Sequence, residues 1–345
     1  MYGSALALLA ALLFAASIPA SKILLESLRP FQLAGLLYLG AAIGMAPLLV
    51  LERRRHTRIA LDRSNAARLA GAVLLGGLLG PVLLLLALRL TLASSVSLLS
   101  NLEMGATAVL GVALFREHLG RTGWLGVAGI VLAGAILAGG GWPDALAALL
   151  VAAACACWGL DNHLTALIDG ITPARSTLVK GTVAGVTNLA IGVATDPLSA
   201  SAPLLLAALL VGAASYGASI ALYILSAHEL GATRAQAIFA AAPFAGAALS
   251  FALLGEPFAL TQGAAFLLLL VSVGALFRSQ HAHPHVHEAL EHIHSHRHDD
   301  GHHLHEHPGL ERTLRHSHAH RHERFRHSHP HWPDIHHRHG HRHAT

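Results

Sequence analysis

Ten stretches of about twenty apolar residues, separated by short polar clusters, organise this chain. They cover 3–24, 30–51, 67–88, 93–115, 122–140, 144–166, 173–194, 203–226, 232–254 and 258–278. At 1.5 Å of rise per residue, roughly 20 helical residues cross a hydrocarbon layer of about 30 Å, so each stretch predicts one membrane-spanning helix. Turn and charge clusters lie between them: Leu28-Arg29-Pro30, Arg53-Arg54-Arg55-His56, Gly139-Gly140-Gly141-Trp142-Pro143-Asp144, Thr172-Pro173, Asp196-Pro197 and Gly255-Glu256-Pro257. With such short loops, the backbone groups inside the bilayer must be satisfied within helices. The predicted fold class is therefore all-α integral membrane, with ten transmembrane helices. Ala15-Ala16-Ser17 could pass for the small residues before a signal cleavage site. However, no basic segment precedes them and nine more spans follow, so 3–24 is read as the first span.

Composition agrees. Of 345 residues, 54% are hydrophobic and only 12% charged, and the mean hydropathy is +0.54. So little polar surface cannot cover a soluble core of this size. Residues 279–345 differ sharply from the rest, holding 24 of the 28 histidines. Their 8 Lys/Arg and 8 Asp/Glu cancel, so the net charge of +4 belongs to the membrane part and gives no reason to expect nucleic-acid binding. Counted over alternate loops, one set carries eleven basic residues, Arg53, Arg54, Arg55, Arg58, Arg63, Arg68, Arg116, Arg121, Arg175, Lys180 and Arg234. The other carries three, Lys22, Arg29 and Arg89. The positive-inside rule then puts both termini and the histidine tail in the cytoplasm, with the protein multi-pass in the cell (inner or plasma) membrane. Cys155 and Cys157 stand two residues apart, about 200° around a helix, and can share neither a disulfide nor a metal.

The chain repeats itself. Ala93-Ser94-Ser95 through Arg116-Glu117-His118-Leu119, shifted by 139, meets Ala232-Thr233-Arg234 through Gly255-Glu256-Pro257-Phe258 without a gap. Trp158-Gly159 in the sixth span likewise corresponds to Phe14-Ala15 in the first. Two five-helix copies follow, 1–140 and 141–278, and because five is odd the second lies upside down relative to the first. Inverted repeats place a site between the halves near mid-membrane and are a signature of secondary transporters. The paired Arg116-Glu117-His118-Leu119 and Gly255-Glu256-Pro257-Phe258 elements, with Leu102-Glu103 ahead of Thr107-Ala108 and with Trp158-Gly159, resemble the drug/metabolite transporter superfamily and its paired EamA-type domains. The chain departs from strict repetition at Met104, where the second copy has Pro243, and at Arg116, where it has Gly255. The resemblance implies a secondary carrier, often an exporter of small organic compounds, working by alternating access.

Several residues could carry chemistry. Glu103 sits mid-span, where an ionised carboxylate is costly unless it is paired or faces water. Ser100 and Thr107 fall within about 60° of it on a helical wheel. The expectation is a carboxylate that binds substrate or a proton, against the alternative of a protonated Glu that only packs the bundle. Ser215, Ser219, Tyr223 and Ser226 form a second stripe, with Tyr216 at its margin; it either lines a solvated cavity or lets helices approach closely. Trp158 beside Asp161 and Asn162 could hold a cation or anchor the membrane interface. Lys22 and Lys180 are expected to snorkel, while Glu117 and Glu256 are expected to cap or pair at span exits. Pro19, Pro81 and Pro243 lie inside spans, where they free carbonyls and kink helices. No Walker motif and no nucleophile–base pair is present, so neither an ATP-driven pump nor an enzyme is expected.

The tail alternates histidine with other residues. His281, His283, His285 and His287 are followed by His292, His294, His296 and His298, then His316, His318 and His320, and His327, His329 and His331. In an extended chain, residues i and i+2 share a side, so two imidazoles can grip one ion; Zn, Ni, Cu and Co suit them. The tail resembles histidine-rich loops of zinc transporters and nickel-handling proteins. Its composition predicts disorder until metal gathers it. The alternative is a pH-sensitive polyelectrolyte. No cofactor is required by the membrane part; Zn or Ni on the tail is the metal expectation. Expected partners are the lipid bilayer, a small-molecule substrate and transition-metal ions, with a homodimer left open. Three functions compete: a carrier of a small organic molecule with a metal-binding regulatory tail, a carrier of Ni, Co, Zn or a metal chelate, and a membrane sensor of metal or pH. Few ligating side chains lie in the spans, only Glu103, Asp161 and His163, which favours an organic or chelated substrate.

Overall fold

The computed structural model describes residues 2–53, 62–115, 119–139, 141–168, 171–230 and 232–278, and, in the tail, 281–287, 290–296, 316–322 and 325–331. Among them, nine helical runs are long and apolar enough to cross a membrane: Tyr2–Leu24, Pro30–Leu49, Arg63–Leu90, Ala93–Phe115, Arg121–Ala138, Trp142–Ala166, Ala174–Thr195, Ala202–Ser226 and Leu260–Phe277. The tenth expected span is present in two pieces, Ala232–Phe239 and Ala242–Leu254. Its interruption leaves neither piece long enough alone. Numbered in order, the run 232–254 is span 9 and Leu260–Phe277 is span 10.

The repeat seen in the sequence is built into the backbone. Span 4 breaks between Ala93–Leu99 and Leu102–Phe115, and span 9 breaks 139 residues later. Span 3 loosens into a π-helix over Val73–Leu79, and span 8 does so over Gly212–Ala218, again 139 residues on. The Gly80 N–H reaches back to Leu75 O, and the Ser219 N–H to Ala214 O, the same bond in each copy. Wide turns of this kind are rare and concentrate at functional positions. All three in-span prolines singled out above lie near an interruption. Pro19 follows the break in span 1 between Tyr2–Ala15 and Ser17–Leu24, Pro81 follows the first π segment, and Pro243 opens the second half of span 9. A missing N–H and a ring that crowds the preceding turn explain that placement.

Packing obeys the same symmetry. Span 2 packs along span 7, and span 5 along span 10; span 3 meets span 6 as span 8 meets span 1; span 4 meets span 6 as span 9 meets span 1. Spans 4 and 9 also cross each other, where Ser97 Oγ donates to Pro243 O at 3.0 Å. Small residues permit these approaches. A methyl group on Gly181 would stand 2.8 Å from Tyr38 O, and one on Gly126 2.7 Å from Ser272 O.

Polar side chains seal the helix ends. Glu256 accepts from the Ala93 and Ser94 N–H groups at 2.6 and 2.9 Å, capping span 4 as its position at a span exit suggested. Glu117 lies outside the described residues. Lys22 does not snorkel to the surface. Its ammonium donates to Leu88 O and Thr91 O at 2.6 and 2.8 Å, satisfying carbonyls that the end of span 3 leaves open. Arg29 pairs with Asp196 at 2.5 Å, tying the start of span 2 to the end of span 7. Four tail segments have strand backbone: His281–His287 pairs antiparallel with Phe325–His331, and Leu290–His296 with His316–His322. Composition alone does not predict this arrangement, though alternation at every second residue is the period of a strand.

Candidate functional site

Glu103 lies in the first turn of the second half of span 4, just past the break. That placement follows from the sequence. Ser100 bonds back to Val96 O at 3.0 Å, and Asn101 donates from Nδ2 to Leu98 O at 2.9 Å; both bonds satisfy the end of the first half-helix. The Glu103 carboxylate is half-buried and accepts from Asn162 Nδ2 of span 6 at 3.0 Å. Asn162 stands one turn from Trp158, on the same face of that helix. The buried Asn101 Oδ1 and Thr107 Oγ1 have no hydrogen-bond partner among the described residues, so polar capacity remains on both sides of Glu103.

Asp161 is engaged differently. Lys180 of span 7 approaches both of its carboxylate oxygens at 2.7 Å, and Thr165 Oγ1 donates to one of them at 2.9 Å. The two charged side chains are only 9% and 16% exposed, so this ion pair is buried. Lys180 thus departs from the expected snorkelling, for a reason written in the hairpin. Asp161 lies five residues before the end of span 6 and Lys180 seven after Pro173, which brings them to similar depth across the Thr172-Pro173 turn. Gly76 makes room for the pair: a methyl group there would strike the Asp161 carboxylate.

The π segment of span 3 completes the arrangement. Pro81, five residues beyond Gly76, has no N–H to offer the Gly76 carbonyl, and the Gly80 N–H is spent on Leu75 O. Two aromatic donors serve that carbonyl instead, Tyr38 OH at 2.6 Å and Trp158 Nε1 at 3.1 Å. From Tyr38 an aromatic chain runs to the other repeat. Tyr38 is 6.0 Å from Tyr216, Tyr216 is 5.6 Å from Phe14, Phe14 is 5.5 Å from Phe239, and Phe239 is 5.2 Å from Tyr223, all centroid to centroid. Phe14, Tyr38, Trp158 and Tyr216 each keep part of their surface exposed. Glu103 lies within electrostatic reach of Asp161, Lys180 and Tyr38.

The sequence candidates therefore divide. Glu103, Asn162, Trp158 and Asp161 come together. Of the span 8 stripe, Ser219 donates to Ala10 O and Ser226 to Gly3 O, both at 2.8 Å, which binds span 8 to span 1. Ser215 is buried in the second π segment, and Tyr223 donates to Gln236 Oε1 at 2.7 Å. Ser100 is held by Val96. His163 stacks on Phe115 at 4.4 Å and bonds through Nε2 to Thr107 O, so its ring serves the packing of span 6 on span 4. The tail candidates His281, His283, His285, His287, His292, His294, His296, His316, His318, His320, His327, His329 and His331 fall in the strands, and His298 lies outside the described residues. Tyr38 and Gly76 were not singled out from sequence. Gly76-Gly77 five residues ahead of a proline, inside an apolar span, was the available signal.

Comparison with known proteins agrees with this architecture. An uncharacterized transporter of Methanothermobacter thermautotrophicus is 29% identical over 292 residues, spanning 78% of this chain and 84% of the relative. A solved structure titled only as the crystal structure of a protein shares the fold, with a TM-score of 0.56 and 14% identity over 79% of this chain and 96% of its own. The EamA-like transporter family matches twice, over residues 1–139 and 145–278. Two matches covering nearly all of the membrane part identify this multi-pass membrane protein as a member of the EamA-like transporter family.

Proposed function

We propose that the protein is a secondary active, alternating-access carrier that exports a small organic metabolite or drug, with its histidine tail as a metal-binding regulatory appendage. One observation carries this reading. Two copies of an interrupted span cross at mid-bundle, and the break in one of them presents a carboxylate, Glu103, beside a row of aromatic rings. Broken helices at a repeat interface expose polar groups only where they line a path. Within the site, Glu103, Asn162 and Trp158 face the substrate, while Ser219 and Ser226 act as glue between spans 1 and 8. Carriage of a bare metal ion gains little, because the Asp161 carboxylate is spent on Lys180 and His163 on Thr107 and Phe115. The tail reading rests on the His-x-His spacing and on a strand register that sets His281, His283 and His285 opposite His331, His329 and His327. These residue types suit Zn or Ni.

The test is uptake into proteoliposomes of a metabolite panel and a metal panel, using the full chain and a chain truncated after Gln280. The expected result is uptake of an organic compound by both proteins, with metal altering transport only when the tail is present. Uptake confined to metal ions would overturn the organic-carrier reading. The separate peptide 281–343 should bind several Zn or Ni ions by calorimetry at pH 7.5 and far fewer at pH 5.5, since imidazole must lose its proton to ligate. No heat of binding at pH 7.5 would remove the tail from the account.

A further inference from the structure

We infer that the carrier's substrate class is an aromatic or aryl-bearing organic cation, recognised by Glu103 and the face of Trp158; this deepens the carrier reading and rests on it. The argument is one of charge. Two carboxylates and one ammonium are gathered here, Glu103, Asp161 and Lys180. Lys180 meets both oxygens of Asp161 at 2.7 Å, so that pair is internally neutral. Glu103 receives only the uncharged amide of Asn162 among the described residues. When Glu103 is ionised, the cluster carries one negative charge that no side chain among the described residues neutralises, in the middle of an apolar span. An uncompensated charge in the bilayer is costly, and a guest bearing one positive charge removes that cost. An anionic guest would double it.

The surroundings point the same way. Trp158 lies one turn from Asn162 on the same helix face. Its indole N–H is turned to Gly76 O, which fixes the ring. Part of the ring stays exposed, and a cation–π contact is strongest with indole and in desolvated surroundings. Tyr38, Tyr216, Phe14 and Phe239 continue the aromatic row with rings from both repeats, providing a surface for an aryl or alkyl body. Asp161, the acid expected from sequence to hold a cation beside Trp158, already has one tethered to it. Its role passes to Glu103.

The experiment uses the full chain in proteoliposomes with three probes of similar size. These are benzyltrimethylammonium, whose charge is permanent, phenylacetate, and zwitterionic phenylalanine. The cation should enter about tenfold or more faster than phenylacetate. Glu103→Gln should reduce its uptake to that of protein-free vesicles, and Glu103→Asp should retain a measurable part. Trp158→Leu should raise the half-saturating concentration about 10- to 30-fold, the size of a desolvated cation–π contact. Binding of the cation to the purified protein, followed by its tryptophan fluorescence, checks the Glu103 variants independently of reconstitution. Cation uptake or binding unchanged in Glu103→Gln overturns the inference, as does equal transport of phenylacetate or failure of the cation to bind at all. If the metabolite panel yields a substrate that is neutral, zwitterionic or anionic, the inference falls and the carrier reading stands. If nothing in either panel moves, both fall.

Discussion

The two repeats share a scaffold and differ in chemistry. In the first, the helix break carries Ser100, Asn101 and Glu103 while the π segment reads Val-Leu-Leu-Gly-Gly-Leu-Leu. In the second, the break carries Phe239, Ala240 and Ala242 while the π segment holds Ser215 and Tyr216. The buried ion pair lies wholly in the second copy; 139 residues before Lys180 stands Ala41. What the copies have in common is the position of the interruptions and the small residues where backbones touch; the prolines are not shared, since Met104 matches Pro243 and Ile220 matches Pro81. What they do not share is the placement of charge. The asymmetric charge leaves one mid-span carboxylate, Glu103, between two copies of the same scaffold.

Removing the ion pair by halves tests that contrast most severely. Lys180→Met should leave the Asp161 carboxylate buried without a counter-charge and cost about 3–5 kcal/mol. Pairing it with Asp161→Asn should return stability close to that of the parent. Unfolding in detergent, followed by circular dichroism, measures both. A single variant as stable as the parent would mean that water, and not Lys180, satisfies Asp161.

The shared scaffold should be sensitive in both copies. Gly217→Ala would place a methyl group 2.7 Å from Gly44 Cα and 2.8 Å from Ala41 O, and Gly77→Ala one 2.7 Å from the Ala184 methyl. Each should cost about 1–3 kcal/mol as overpacking, with Gly217 the worse because its neighbours are backbone atoms. The same unfolding measurement applies, and tolerance at one site alone would show that the two π segments are not under the same constraint. The smallest effect is expected at Ser226→Ala. Loss of its bond to Gly3 O should cost about 0.6 kcal/mol, the usual size of a side-chain bond between membrane helices. It should also leave transport unchanged, since this hydroxyl ties spans 1 and 8 together and faces no substrate.

Much of the scaffold was legible in the sequence because its causes are local. Apolar length gave the spans, a gapless shift of 139 gave the repeat, and in-span prolines marked three interruptions. Glu103 stood out because a carboxylate inside an apolar run has few explanations. Side-chain partnership was harder to read. Lys22 and Lys180 each looked like a snorkelling cation, since snorkelling needs only a nearby surface. The first instead meets carbonyls 66 and 69 residues away, and the second a carboxylate 19 residues back on the preceding span. Ser219 and Tyr223 shared a helical stripe, yet only the structure separates the hydroxyl bonded to Ala10 O from the one beside Phe239. The pairing of Tyr38 and Trp158 on a single carbonyl depended on a π turn, which no periodicity announces.

The most direct test of the account is counterflow. Proteoliposomes containing the full chain are loaded with an unlabelled substrate found by the uptake panel, and entry of the labelled compound is followed against unloaded vesicles. An alternating-access carrier built from two inverted halves around Glu103 should show internal substrate accelerating entry, and Glu103→Gln should abolish that acceleration while remaining folded. Entry that ignores internal substrate, or acceleration that survives in Glu103→Gln, would contradict the account.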